Sequence, residues 1–166
     1  MKADDLTRDG MDADDADVMS ATAELEFPYQ HSTGPVIGRF LTELRDAGRI
    51  LALRCAACAV VQVPPQEYCE RCGGGLAEWR VVGPEGELTS FAVVRRHQDL
   101  HPHSAPFAWI LVRLDGADTD LLHVLHTADY AALRGGLRVR PVWRSEREGS
   151  IRDISHFEPV PTAGAV

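Results

Sequence analysis

Two Cys-x-x-Cys pairs, Cys55-Ala-Ala-Cys58 and Cys69-Glu-Arg-Cys72, lie ten residues apart and constrain this chain more than any other feature. Each pair makes a tight knuckle that grips one ion, and the segment between them folds back as a hairpin. Four thiolates complete a tetrahedral zinc shell, and a shell with no open position is structural, not catalytic. Iron takes the same ligand set as a substitute. Disulfides would need an oxidising compartment, and a redox Cys-x-x-Cys would need a βαβ context that this sequence lacks. Gly73 follows the second pair, as a knuckle favours; Ala59 follows the first, where glycine is usual.

Charge narrows the function classes. The chain of 166 residues has a formal net charge of −8. Residues 1–30 hold nine acids and two bases, a net of −7, so the remaining sequence is close to neutral. A nucleic-acid binder would show a basic face, as would a protein drawn to anionic lipid. No run of about 18 apolar residues marks a membrane span. The N-terminus is acidic where a secretory signal would be basic and then apolar, so a cytoplasmic protein with reduced thiols is expected.

The chain divides into five stretches. Residues 1–26, rich in Asp and Ala, read as a disordered acidic leader. Residues 27–48 are an extended lead-in and a helix. Pro35 suits the first turn, and Gly48 suits the stop. Val36, Ile37, Phe40, Leu41 and Leu44 fall on one face of a helix over 35–47. Residues 49–82 are the four-cysteine ribbon, with short β segments at Ile50–Arg54, Val60–Val63 and Ala77–Val82. Residues 83–160 carry five further strands, at Leu88–Arg95, Phe107–Leu114, Leu121–His126, Leu137–Trp143 and Ile151–Phe157. A helical turn at Ala128–Leu133 separates the third from the fourth. Five short strands with that insertion are the pattern of an OB-fold barrel. Residues 161–166 are a tail. The fold class is thus mainly β: an N-terminal helix, a rubredoxin-like zinc ribbon and a five-stranded OB-fold barrel.

No catalytic constellation emerges. His97, His101 and His103 share one loop with Asp99, which reads either as a metal or acid–base site or as a solvated loop. His123 and His126 are three apart on an expected strand, so they point to opposite faces and cannot share a ligand. No serine sits in a Gly-x-Ser-x-Gly context, and Gly73–Gly75 and Gly135-Gly136 lack the strand–turn–helix frame of a phosphate loop. With the cysteines taken by metal, no nucleophile, base and oxyanion hole assemble.

Helix, four-cysteine ribbon and OB barrel, in this order, resemble the acyl-CoA-associated zinc-ribbon and OB-fold family, long catalogued as a domain of unknown function. The residues that carry the resemblance are Leu53-Arg54-Cys55-x-x-Cys58, Pro64-Pro65, Cys69-x-x-Cys72-Gly73, Trp79-x-x-Val82 and Gly86–Val94. The helix end Ala47-Gly48-Arg49, Pro106-Phe107 and Phe157-Glu158-Pro159 add to it. The resemblance implies a non-catalytic accessory subunit of a thiolase-superfamily enzyme that acts on acyl-CoA, a retro-aldolase or a thiolase or acyltransferase. The lead-in Phe27-Pro28-Tyr29-x-x-Ser32-x-Gly34-Pro35 is most similar to partners of steroid side-chain aldolases. The competing readings are a stand-alone acyl-CoA-binding module, with Arg95, Arg96, Arg138, Arg140 and Arg144 toward the phosphates, and an OB-fold nucleic-acid binder. Aromatic residues are favoured interface anchors. Phe27 and Tyr29, with Phe40, Leu41 and Leu44 of the helix, are therefore the expected partner surface.

Overall fold

Pro35 opens a helix whose first turn needs no proline N–H, and Gly48 closes it at φ 60°, where a side chain would be strained. This helix, α1, spans Gly34–Ala47. The computed structural model describes residues 32–99 and 101–161. The expected leader, together with Phe27 and Tyr29, lies outside the described residues, as do residues 162–166 of the tail.

The ribbon strands follow: β1 (Ile50–Cys55), β2 (Val61–Gln62) and β3 (Leu76–Val82) form an antiparallel sheet in the order β2-β1-β3. Central β1 is buried at Ile50, Leu51, Ala52 and Leu53, which accounts for its unbroken apolar run. The barrel strands are β4 (Gly86–Val94), β5 (Phe107–Leu114), β6 (Leu121–Leu125), β7 (Arg138–Trp143) and β8 (Ile154–Pro159). They close in the order β4-β5-β6-β8-β7, and β7 returns to pair with β4 through Gly86↔Val139 and Glu87↔Arg138. Strands β6 and β8 pair parallel, anchored at Leu125↔Phe157. Short 3-10 turns lie at Tyr130–Ala132 and Ile151–Asp153.

Ile151–Asp153 corrects the expected strand over Ile151–Phe157. The Ser150 hydroxyl accepts the Arg152 N–H at 3.2 Å. The Asp153 carboxylate accepts N–H bonds from Glu148, Gly149 and Ser150 at 2.9, 2.8 and 3.2 Å. These side-chain acceptors close a turn in place of ladder bonds, and the strand starts only at Ile154.

One apolar core runs from the helix through the ribbon sheet into the barrel. Phe40 and Leu44, 2% and 0% exposed, join Ile50, Leu51, Val82, Leu88, Ile110, Val112, Leu121, Ile154 and Phe157. This corrects the placement of Phe40 and Leu44 at a partner surface. A helix stripe beside a sheet is covered first by its own chain. Leu41 is only partly buried. Across the same junction, Arg147 Nε donates to the Arg45 carbonyl at 2.7 Å, and the Arg39 guanidinium stands 4.6 Å over the Trp79 ring.

Candidate metal centre

Each cysteine pair folds by the same local hydrogen bonds. In the first knuckle the Ala59 N–H reaches the Cys55 carbonyl at 3.0 Å, and the Cys55 N–H reaches Val60 at 2.8 Å. In the second, Gly73 N–H reaches Cys69 at 2.8 Å, and Cys69 N–H reaches Gly74 at 2.7 Å. The two turns aim four sulfurs at one point. Cys55 Sγ lies 3.6 Å from Cys72 Sγ, and Cys58 Sγ lies 3.5 Å from Cys69 Sγ. All four are within 4.8 Å of one another, and none is in a disulfide. Zinc–sulfur bonds of about 2.3 Å in a tetrahedron separate sulfurs by about 3.8 Å, so the spacing fits such an ion.

Electrostatics points the same way. The Cys58 backbone N–H, helped by that of Ala57, outweighs burial and lowers the Cys55 thiol to about 6. At Cys58 the Val60 N–H favours the thiolate, but burial and the other thiols push it up to about 12. One thiolate forms readily and four together repel, so full ionisation requires a cation at the centre. Cys55 and Cys69 are buried, Cys58 is half-buried and Cys72 is exposed. An ion held by all four thiolates would have no open position for substrate; it would tie the end of β1 to the turns that flank β2 and precede β3.

The ribbon is fastened to the barrel by the loop that follows β5. Asp118 Oδ2 accepts the Val61 N–H at 2.8 Å, while the Asp118 N–H donates to Val61 at 2.8 Å. The Thr119 hydroxyl accepts from Val63 N–H and donates to the Val63 carbonyl, both at 2.8 Å. These four bonds serve the outer edge of β2.

The loop that carries His97, His101 and His103 is exposed at His97, while His101 and His103 are half-buried against the barrel. His103, from the loop between β4 and β5, places Nδ1 3.1 Å from Nε2 of His126, just past β6. His126 stands at 89° to His156 of β8, with ring centres 5.0 Å apart. His101 packs edge-on against Phe107 at 5.3 Å. His123 is buried, with Nε2 3.3 Å from the Ile151 carbonyl. His126 lies one residue past the end of β6, and it and His123 both act electrostatically on His103 and on His156. No sequence spacing announced the meeting of His103 with His126, 23 residues apart. Of the arginines considered for phosphate, Arg138 is engaged by Asp115 and Glu85, and Arg140 by Glu158.

The comparisons with known proteins follow this geometry closely. Residues 42–77 match the rubredoxin-like zinc ribbon domain of ChsH2, and residues 79–144 match its C-terminal OB-fold domain. The chain belongs to the ChsH2-type family of zinc-ribbon and OB-fold proteins. Among solved structures, the chain is similar to the "Ltp2-ChsH2(DUF35) aldolase". The match has a TM-score of 0.55 and 25% identity and covers 74% of this chain and 93% of that one. A DUF35-family protein of unknown function from Sulfolobus solfataricus shares the fold, with a TM-score of 0.58 and 16% identity; the match covers 77% of this chain and 87% of that one. No curated protein matches the chain. Among the described residues no helix is long and apolar enough to cross a membrane.

Proposed function

We propose that this ChsH2-type chain is a non-catalytic accessory subunit of a thiolase-superfamily enzyme that cleaves an acyl-CoA by a retro-aldol reaction, with a steroid side chain as the candidate substrate class. The observation that carries the reading is the similarity to ChsH2, a component of the Ltp2-ChsH2 aldolase, across both ribbon and barrel. The site chemistry supports it: the cysteines form a closed ligand set, which leaves no thiol as nucleophile and no open metal position. Zinc is the metal proposed for Cys55, Cys58, Cys69 and Cys72, with iron able to replace it. The cytoplasm is the proposed compartment, where the four thiols stay reduced for metal.

The partner surface is proposed on Phe27, Tyr29 and the uncovered side of α1 around Leu41. Contact with CoA is made through the partner subunit. The test is to combine the full chain with a thiolase-like subunit and follow retro-aldol cleavage of a β-hydroxyacyl-CoA. The complex is expected to turn over and the isolated chain to be inactive. Steady turnover by the isolated, rigorously purified chain overturns the reading. Phe27→Ala combined with Tyr29→Ala is expected to weaken the complex while the metal content stays the same.

A further inference from the structure

His103 Nδ1 and His126 Nε2 face each other at 3.1 Å across the end of the barrel. Two nitrogens bound to one divalent ion at about 2.0–2.1 Å are separated by about 2.9 Å at a right angle and about 3.3 Å at a tetrahedral angle. The observed separation lies between these values. The rings come from different elements, the β4–β5 loop and the end of β6, so their approach is set by the closed barrel. His156 packs edge-on against His126, and its own Nδ1 is 3.1 Å from the Ser155 hydroxyl.

We propose that His103 and His126 form a second, exchangeable metal site, a two-imidazole clasp for a borderline divalent ion such as Zn2+, that ties the β4–β5 loop to the barrel. Imidazole nitrogen suits such ions. Burial lowers the pKa of both rings, so each is neutral near pH 7. A neutral ring carries one proton. When the ion enters, the proton between the rings moves to the far nitrogen of its own ring, and both facing lone pairs become ligands. Water completes the shell. Among the described residues only the four cysteines bring three or more ligand atoms within 4.8 Å of one another, so this site has two protein ligands. Arg144 acts electrostatically on His103 and opposes a cation. Both features make the ion reversible here, in contrast to the closed four-thiolate centre.

The test titrates the full-length protein, its cysteine centre already filled, with Zn2+ in a calorimeter. Imidazole nitrogen shifts are followed by NMR in parallel. One further equivalent is expected, with shifts at His103 Nδ1 and His126 Nε2. His103→Ala and His126→Ala are each expected to weaken it at least about tenfold, while His97→Ala leaves it unchanged. The wild-type shifts decide the matter even if a variant folds poorly. Absence of a further equivalent, or one that leaves both nitrogens unshifted, overturns the proposal and leaves the contact an N–H···N hydrogen bond only.

Discussion

Ala59 and Gly73 occupy the same place in the two cysteine knuckles. They adopt φ 64° and 70°, and each donates its N–H to the carbonyl of the first cysteine of its pair. Left-handed backbone strains any residue with a Cβ by about 1 kcal/mol, so the first knuckle holds strain that the second avoids. Ala59→Gly is therefore expected to raise stability by about 1 kcal/mol in denaturant unfolding. Gly73→Ala is expected to lower it by a similar amount. A Cβ there meets nothing within 4 Å, so the cost is conformational alone.

Cys58→Ala removes one of four ligands from a centre with no spare donor. The expected loss is about 4 kcal/mol or more, because metal binding and ribbon folding are one process. Elemental analysis should show the metal gone, and hydrogen exchange should show protection lost across residues 50–82. Barrel amides in β5 and β6 are expected to keep more of theirs.

Stability is expected to fall as pH drops below about 6.5. Burial lowers the pKa of His103, His123, His126 and His156, and mutual repulsion adds to this at His103 and His156. Each ring binds its proton less readily folded than unfolded. Their contribution is thus complete above the unfolded pKa and is lost as pH falls through the lower folded values. Thermal unfolding across this window measures it, and His103→Asn with His126→Asn should flatten the slope.

Asp153→Ala is expected to cost about 2–3 kcal/mol. The carboxylate is buried and accepts three backbone N–H bonds, which alanine would leave without partners. Burial pushes its pKa up, but these bonds outweigh it and hold the group below the ordinary carboxylate value. Its stabilisation is present above that ordinary value and is lost on acidification below it. Asp153→Asn is expected to recover part of the loss at neutral pH.

Gly86→Ala is expected to destabilise the barrel by about 2 kcal/mol or more. An added Cβ would lie 2.5 Å from the Arg113 carbonyl and 2.8 Å from Leu114 Cα, both backbone atoms that cannot swing aside. A fall in the urea midpoint with retained metal content is the expected signature.

Local order determined what was legible in the sequence. The cysteine knuckles need only bonds between residues four or five apart, and all four sulfurs meet where their spacing placed them. The helix is bounded by Pro35 and Gly48, and β5 follows from an apolar run, because capping and side-chain period act within a few residues. Barrel closure decided the rest. Whether the stripe of Phe40 and Leu44 meets a partner or its own core depends on residues more than 100 positions further along the chain, such as Ile154 and Phe157 of the same core. The Asp153 turn depends on three N–H groups converging on one carboxylate, a geometry that composition does not encode. His103 and His126 meet only because β5 and β6 pair antiparallel and bring the β4–β5 loop to the end of β6. Contacts of this kind are fixed by strand pairing and closure, which is why the tertiary structure alone could place them.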